Sequence, residues 1–435
     1  MFIMAAADAL MLPPPPGRID WIVRPPGSKS LTNRALLAAA LAVGDSELDR
    51  ILIADDCRLM IQALRALGVP VESDEVRRKA FLTGRGGRWP IDEAALDCGN
   101  AGTVMRFMTA ACALGYGDYI LDGSDRMRRR PMHDLVTALR QLGAAIAYEC
   151  EEGYCPLHVR ASGLRGGVVR VDQPVSSQFV SALLLAAPLA SNDVMIEVTG
   201  PLPSGPYVKM TVAVMQAFGV AVVEHDLRRF IVPAPQRYTP CVFSIEPDAS
   251  SASYFFAAAA ITGGQVTVEG VGSQSVQGDM GFVRVLERMG CVLDIQPSAT
   301  TLRGPADGRL IGIDADLAGM PDTAQTLAVL AAFADGPTRI RNVANLRIKE
   351  TDRLHALATE LGRMDVATEI HADGITICPR KPPVACQINT YDDHRMAMSF
   401  AVAGLRLDGM EIRDPSCVKK SYPEFFEIWL ELIEG

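Results

Sequence analysis

The chain has 435 residues with 42 Lys and Arg against 51 Asp and Glu, a net charge of −9 that argues against nucleic acid as a default partner. Hydrophobic residues make up 49% and aromatics 6%, the profile of an alanine-rich globular protein rather than a disordered one, and the length suits two domains. No run reaches the roughly 18 apolar residues that a membrane span needs, so any anionic ligand is to be met by a local cationic pocket, away from membranes.

In chain order, the N-terminal stretch MFIMAAADALMLPPPPG contains Asp8 and lacks a basic leader, so a secretory signal is not expected. The next stretch, P-P-G-S-K-S-L-T-N-R from Pro25, looks like a phosphate loop. A Walker-type loop needs a glycine five residues before the Gly-Lys pair; here Ser28 precedes Lys29, and Ile22 and Val23 stand where that glycine belongs. The nucleotide-loop reading fails. The ten cysteines form no C-x-x-C pair, and Cys150 and Cys155 have no histidine at zinc-site spacing, so reduced thiols in a cytoplasm are expected, with no metal site and no disulfide framework.

A polar start followed by a run of small apolar residues occurs six times, beginning at Ser28, Asn100, Ser176, Asp248, Pro321 and Asp392, with spacings of 72, 76, 72, 73 and 71. Each copy reads as an N-capped buried helix, and most are expected to stop at a glycine C-cap. Between copies lie half-exposed helices, as in C-R-L-M-I-Q-A-L-R-A-L-G, D-L-V-T-A-L-R-Q-L-G and G-F-V-R-V-L-E-R-M-G, followed by β-rich runs such as V-V-R-V and R-F-I-V. The repeating unit is βαβαββ-like, which gives an α/β class. Three copies fall on each side of about residue 245, predicting one domain over 26–245 and another over 1–25 plus 246–435.

Helix starts favour anions through unpaired amides and the positive dipole end. Packed about pseudo-threefold axes, six such helices would aim their first turns into an interdomain cleft. The candidates lining it are Lys29, Ser30 and Arg34; Asn100, Gly102 and Thr103; Ser176, Ser177 and Gln178; Asp322; and Asp393, His394 and Arg395. Singly, each has a plainer account. Ser, Asn and Asp cap helices in most proteins, Arg126 to Arg130 reads as a solvated basic turn, and I-K-E-T-D-R reads as a helix's first turn.

Together the motifs P-G-S-K-S-x-x-N-R, G-N-A-G-T-x-M-R, R-M-x-x-R-P, S-S-Q-F, D-A-S-S-A-S-Y-F, K-E-T-D-R-L and D-D-H-R-M-A-M, from about Val23 to Phe426, resemble the 5-enolpyruvylshikimate-3-phosphate synthase family. The resemblance implies a two-domain inside-out α/β barrel of six βαβαββ repeats. It implies transfer of the enolpyruvyl group of phosphoenolpyruvate to the 5-hydroxyl of shikimate 3-phosphate, with no cofactor, by a cytoplasmic monomer whose partners are these two small molecules. By similarity, Lys29, Ser30, Arg34, Ser176, Ser177, Gln178, Ser204, Tyr207, Asp322, Asn345 and Lys349 serve shikimate 3-phosphate. Lys29, Asn100, Gly102, Arg126, Gln178, Arg353, His394, Arg395 and Lys420 serve phosphoenolpyruvate, and Gly102 is expected to let the ligand approach a bare backbone. Fixed cations suit substrates that each carry a phosphate and a carboxylate. Glu350 is the expected proton donor to the methylene carbon and Asp322 the base on the hydroxyl, with Lys29, Arg126 and Lys420 stabilising charge on the departing phosphate.

A sister enzyme, UDP-N-acetylglucosamine enolpyruvyl transferase, relies on a cysteine in a mobile loop, and no cysteine here sits in a comparable Gly-Arg-rich stretch. A catalytically silent phosphometabolite binder is the remaining alternative, opposed by the retained Lys29, Asp322 and Glu350. One motif departs from the family: after G-N-A-G-T-x-M-R stands Phe107 in place of proline. Its ring is expected to lean over the turn of Gly102 and Thr103 and to lower sensitivity to glyphosate, the family's inhibitor.

Overall fold

The computed structural model describes residues 8–14 and 16–434, so part of the leader reading, on residues 1–7, lies outside them. The described chain divides into two compact units: a first unit, Gly27–Glu246, and a second unit made of Pro247 onward with the segment ending at Pro26. Each has its own apolar core.

The first unit carries helices α1 (Lys29–Leu41), α2 (Asp55–Ala66), α3 (Gly102–Cys112), α4 (His133–Gln141), α5 (Ser177–Ala186) and α6 (Gly205–Ala217). The second carries α7 (Ala249–Thr262), α8 (Phe282–Arg288), α9 (Ala324–Ala331), α10 (Arg353–Arg363), α11 (His394–Ala403) and α12 (Phe425–Glu434). The small-residue runs form α1, α3, α5, α7, α9 and α11, whose side chains are buried on nearly every side, as helices apolar all round must be. Ser28, Ser176 and Asp248 cap α1, α5 and α7 through their side chains. At α11 the cap is Asp393, one residue after the expected start, while α3 begins after Ala101 with no side-chain cap. A 3-10 turn, Pro321–Thr323, leads into α9.

The expected glycine stops belong mostly to the other helices. Of the six buried helices only α7 ends on a left-handed glycine, Gly263; α1 ends at Ala42, whose N–H bonds back to Ala38 and Ala39, and runs straight into a strand. Left-handed Gly68, Gly143, Gly219 and Gly290 instead follow α2, α4, α6 and α8, where the chain must reverse sharply. At the first, Gly68 and Val69 donate to the carbonyls of Arg65 and Leu64 at 2.9 and 3.1 Å.

Five four-stranded sheets share one pattern, a parallel pair extended by two antiparallel neighbours. Strand Glu93–Asp97 pairs parallel with Tyr116–Asp122 across α3, then Leu157–Ser162 and Ala145–Tyr148 follow antiparallel. Parallel neighbours need a crossover, and α5, α9 and α11 also run between parallel strands. Segments distant in sequence complete three sheets: Val242–Ser244 pairs with Val43–Asp49, Asp20–Val23 with Gln265–Glu269, and Ala9–Met11 with Glu411–Arg413. The predicted strands V-V-R-V and R-F-I-V lie within Gly167–Asp172 and Arg229–Val232.

Hydroxyls bind the buried helices to one another. Ser253, Thr326 and Ser399, on α7, α9 and α11, link at 3.1 and 3.3 Å, so these buried polar atoms satisfy each other.

Candidate active site

In the second unit, chemistry gathers where helices begin. Arg353 opens α10, is 1% exposed, and meets three carboxylates. Its Nε and Nη2 donate to the two oxygens of Asp393 at 2.7 and 3.2 Å, its Nη2 to Glu350 at 2.9 Å and its Nη1 to Asp322 at 3.2 Å. The fork against Asp393 is the bidentate geometry that suits guanidinium to carboxylate. Asp393 also caps α11 by accepting the amide of Arg395 at 2.9 Å, so one carboxylate fixes two helix starts.

Asp322 lies in the turn before α9 and is shared among cations: Arg395 Nη2 at 2.9 Å, Arg353 Nη1 at 3.2 Å and Lys349 Nζ at 3.7 Å. Burial opposes its ionisation, but Arg395, Lys349 and Arg353 outweigh burial and hold the carboxyl well below the usual carboxylate range. Burial likewise opposes the charge on Arg353, and Asp393, Glu350 and Asp322 more than restore it. Tyr254 on α7 stands 3.4 Å from Arg395 Nη1. Burial pushes its phenol up to about 12, so it stays protonated beside the cation. His394 is buried in the first turn of α11, half-buried Asn345 lies in the turn Ala344–Ile348, and half-buried Lys420 ends the turn Pro415–Lys420.

In the first unit Lys29 opens α1, and its ammonium is 3.1 Å from Asp56 of α2, whose side chain is only 4% exposed. Arg34, one turn further on, is wholly buried. It donates to Thr211 Oγ1 at 2.7 Å, the Ser30 carbonyl at 2.8 Å, the Tyr207 carbonyl at 3.1 Å and Ser181 Oγ at 3.4 Å. Four of its five N–H donors thus hold α1, α5 and α6 together, and burial lowers its pKa to about 10. Ser176 caps α5 by accepting the Gln178 amide at 3.2 Å, with Ser177 buried beside it. Ser204 adopts left-handed backbone at φ 57° before α6. Arg126 is half-buried before the turn Met127–Arg129.

The turn of Asn100 and Gly102 is crowded by arginine. Arg130 Nη1 donates to the Asn100 carbonyl at 3.0 Å and to its side-chain oxygen at 3.3 Å. A Cβ on Gly102 would stand 2.6 Å from Arg130 Nη2 and 2.8 Å from Arg106 Nη1. The bare backbone therefore makes room for two guanidinium groups of the protein itself. Nor does the basic turn stay in solvent as a whole: Arg128 pairs with Asp122 at the surface while Arg130 is 4% exposed.

Sequence reasoning did not single out Asp56, Arg106, Arg130 or Tyr254. Arg106 and Arg130 stood inside motifs already quoted, and two arginines near an obligatory glycine were the available signal. Asp56 carried none, because its meeting with Lys29 depends on how α2 crosses α1. The cysteines are free thiols, and burial raises Cys98, Cys112, Cys155, Cys291 and Cys417, which disfavours the thiolate that nucleophilic chemistry needs.

An α/β protein that gathers Lys, Arg, Asp and Glu at helix starts belongs to the class built to handle small anions with acid–base chemistry. The family described as EPSP synthase (3-phosphoshikimate 1-carboxyvinyltransferase) matches residues 13–429, and the chain belongs to that family. The 3-phosphoshikimate 1-carboxyvinyltransferase of Nostoc punctiforme is 44% identical over 427 residues, covering 98% of this chain and 100% of that one. That of Shewanella amazonensis is 46% identical over 420 residues, covering 96% and 97%. The solved EPSP synthase of Acinetobacter baumannii superposes with a TM-score of 0.80 at 27% identity, covering 98% of each chain.

Proposed function

We propose that this chain transfers the enolpyruvyl group of phosphoenolpyruvate to the 5-hydroxyl of shikimate 3-phosphate, releasing phosphate on the route to chorismate and the aromatic amino acids. Family membership over nearly the full chain supports the reaction class. The observation that carries the chemistry is Arg353, which holds Asp322 and Glu350 within 3.2 and 2.9 Å of one guanidinium.

Asp322 is the proposed base on the 5-hydroxyl. While three cations surround it, it is ionised but weakly basic. Substrate phosphate and carboxylate groups compete for Lys349, Arg353 and Arg395, and each cation drawn toward a ligand returns basicity to Asp322. Glu350, whose side chain is 8% exposed, is released in the same way once an anion takes over Arg353, and it then delivers a proton to the methylene carbon and later recovers one. Lys29, Arg126 and Lys420 are the proposed stabilisers of charge on the departing phosphate.

Ser30, Ser176, Ser177, Gln178, Ser204, Tyr207, Asn345 and Lys349 are assigned to shikimate 3-phosphate, with Arg34 contributing through its one unspent N–H. Asn100, Gly102, Gln178, Arg353, His394 and Arg395 are assigned to phosphoenolpyruvate. The recurrent sheet pattern supports six βαβαββ units arranged as an inside-out barrel in each unit, and a cytoplasmic monomer needing no cofactor completes the reading. No helix among the described residues is long and apolar enough to cross a membrane.

The test is phosphate release from phosphoenolpyruvate by the purified chain. Release that requires shikimate 3-phosphate supports the reading. Release that follows UDP-N-acetylglucosamine instead overturns it.

A further inference from the structure

The first unit holds a cavity of about 780 Å³ at the opposite ends of its buried helices. Its floor is apolar: Leu41 ends α1, Leu114 follows α3, and Leu189 closes the 3-10 turn after α5. Gly87 sits flush against this floor, since a Cβ there would meet Leu189 at 2.9 Å and Leu114 at 3.5 Å. Arg85, Arg88 and Arg237 line the cavity together with the ring of Tyr116, which is 66% exposed.

No carboxylate lines this cavity, although the chain carries more acidic than basic residues. Cations at helix C-termini can simply answer exposed carbonyls, but these carbonyls are already engaged. Gly86 N–H donates to Ala42 at 3.0 Å, Gln236 N–H to Pro188 at 2.7 Å, and Trp89 Nε1 to Ala111 at 2.9 Å. The three guanidiniums therefore remain as forked donors around a leucine floor. The volume falls within the range of roughly 300–1,000 Å³ of small-molecule sites.

We propose that this cavity binds a small organic anion with a flat apolar body, an aryl or alicyclic carboxylate, sulfonate or phosphate ester. Arginine forks take the charged group in bidentate fashion, while the leucines and Tyr116 cover the ring. The site lies a helix length from Lys29, about 20 Å for a helix of 13 residues. It is thus separate from the reaction assigned above.

The experiment titrates the full chain with the fluorescent aryl anion anilinonaphthalene sulfonate, in the presence of saturating shikimate 3-phosphate. Expected is one saturable site per chain, weakened about ten-fold or more in Arg85→Ala/Arg237→Ala, the worth of one charge-assisted bond. Arg85→Lys/Arg237→Lys should fall between, and phosphate release without the dye should be unchanged in both. Displacement of the dye by shikimate 3-phosphate overturns the proposal. So does equal affinity in the alanine variant, or a fall in melting temperature with dye binding intact, which would leave the arginines as helix-end stabilisers.

Discussion

The guanidinium of Arg34 lies over the ring of Phe107, its central carbon 5.2 Å from the ring centroid, and both side chains are buried. Phe107 therefore acts on the anion-handling turns through α1. What crowds Gly102 is Arg106 and Arg130, while the phenyl ring supports the cation that also bonds Ser30 and Tyr207.

Phe107→Leu keeps an apolar side chain but removes the π face. A desolvated cation–π contact is worth up to about 2 kcal/mol, and the smaller side chain adds a packing loss of similar size. Denaturant unfolding should report a destabilisation of about 2–3 kcal/mol, with KM for shikimate 3-phosphate rising more than kcat falls. The glyphosate inhibition constant of the native chain beside that of this variant tests the link to Phe107. Proline is a poorer probe, because position 107 lies inside α3 and would lose a helical N–H. Equal inhibition constants would leave Phe107 as support for Arg34 alone.

Asp322→Asn should show its effect on stability as a function of pH. The folded carboxyl titrates below its unfolded value of about 3.9. Its contribution is therefore fully present above that value and is lost as pH falls toward the folded pKa. Native protein and variant should differ most in melting temperature between about pH 5 and 8, and converge below about pH 3. A gap that stays constant down to low pH would mean that the Asp322 ion pairs contribute nothing.

Glu350→Gln retains shape and the hydrogen bond to Arg353 but cannot exchange a proton. Turnover should fall by about 10²–10⁴-fold with KM values nearly unchanged, the signature of a lost general acid. Turnover near that of the native chain would reduce Glu350 to a salt-bridge partner.

The fold was legible wherever a signal was local and periodic. Small-residue runs can only be helices that other elements cover, so α1, α5 and α7 stood out together with their caps. Glycine stops were legible as turns, yet the helices they terminate were misassigned, because Gly68 and Gly143 sit at the ends of amphipathic helices that must reverse into strands. The site was legible as residue types at helix starts. Which carboxylate meets which cation was hidden: Lys29 with Asp56 and Arg353 with Asp393 are separated by 27 and 40 residues and meet only through packing. The swap of Val242–Ser244 into the sheet of Val43–Asp49 had no local signal either, since a three-residue strand looks like any loop.

Glu360 is the least expected member of this architecture, a wholly buried carboxylate on the helix that Arg353 opens. It accepts the phenol of Tyr391 at 2.6 Å and the Asn389 amide at 3.0 Å, fastening α10 to the loop that leads into Asp393, His394 and Arg395. Burial first, and then Glu360, push the Tyr391 phenol up to about 12. A raised phenol contributes stability that is present below its unfolded pKa of about 10 and fades as pH rises through the folded value. Tyr391→Phe should thus cost about 1–2 kcal/mol at neutral pH, the worth of a hydrogen bond to a charged acceptor in a partly exposed setting. The difference should shrink between about pH 10 and 12. Because the loop positions Arg395, KM for phosphoenolpyruvate should rise in the same variant while the response to Glu350→Gln is unchanged. A variant that matches the native protein in both stability and KM would show that the Asn389 amide alone holds the loop.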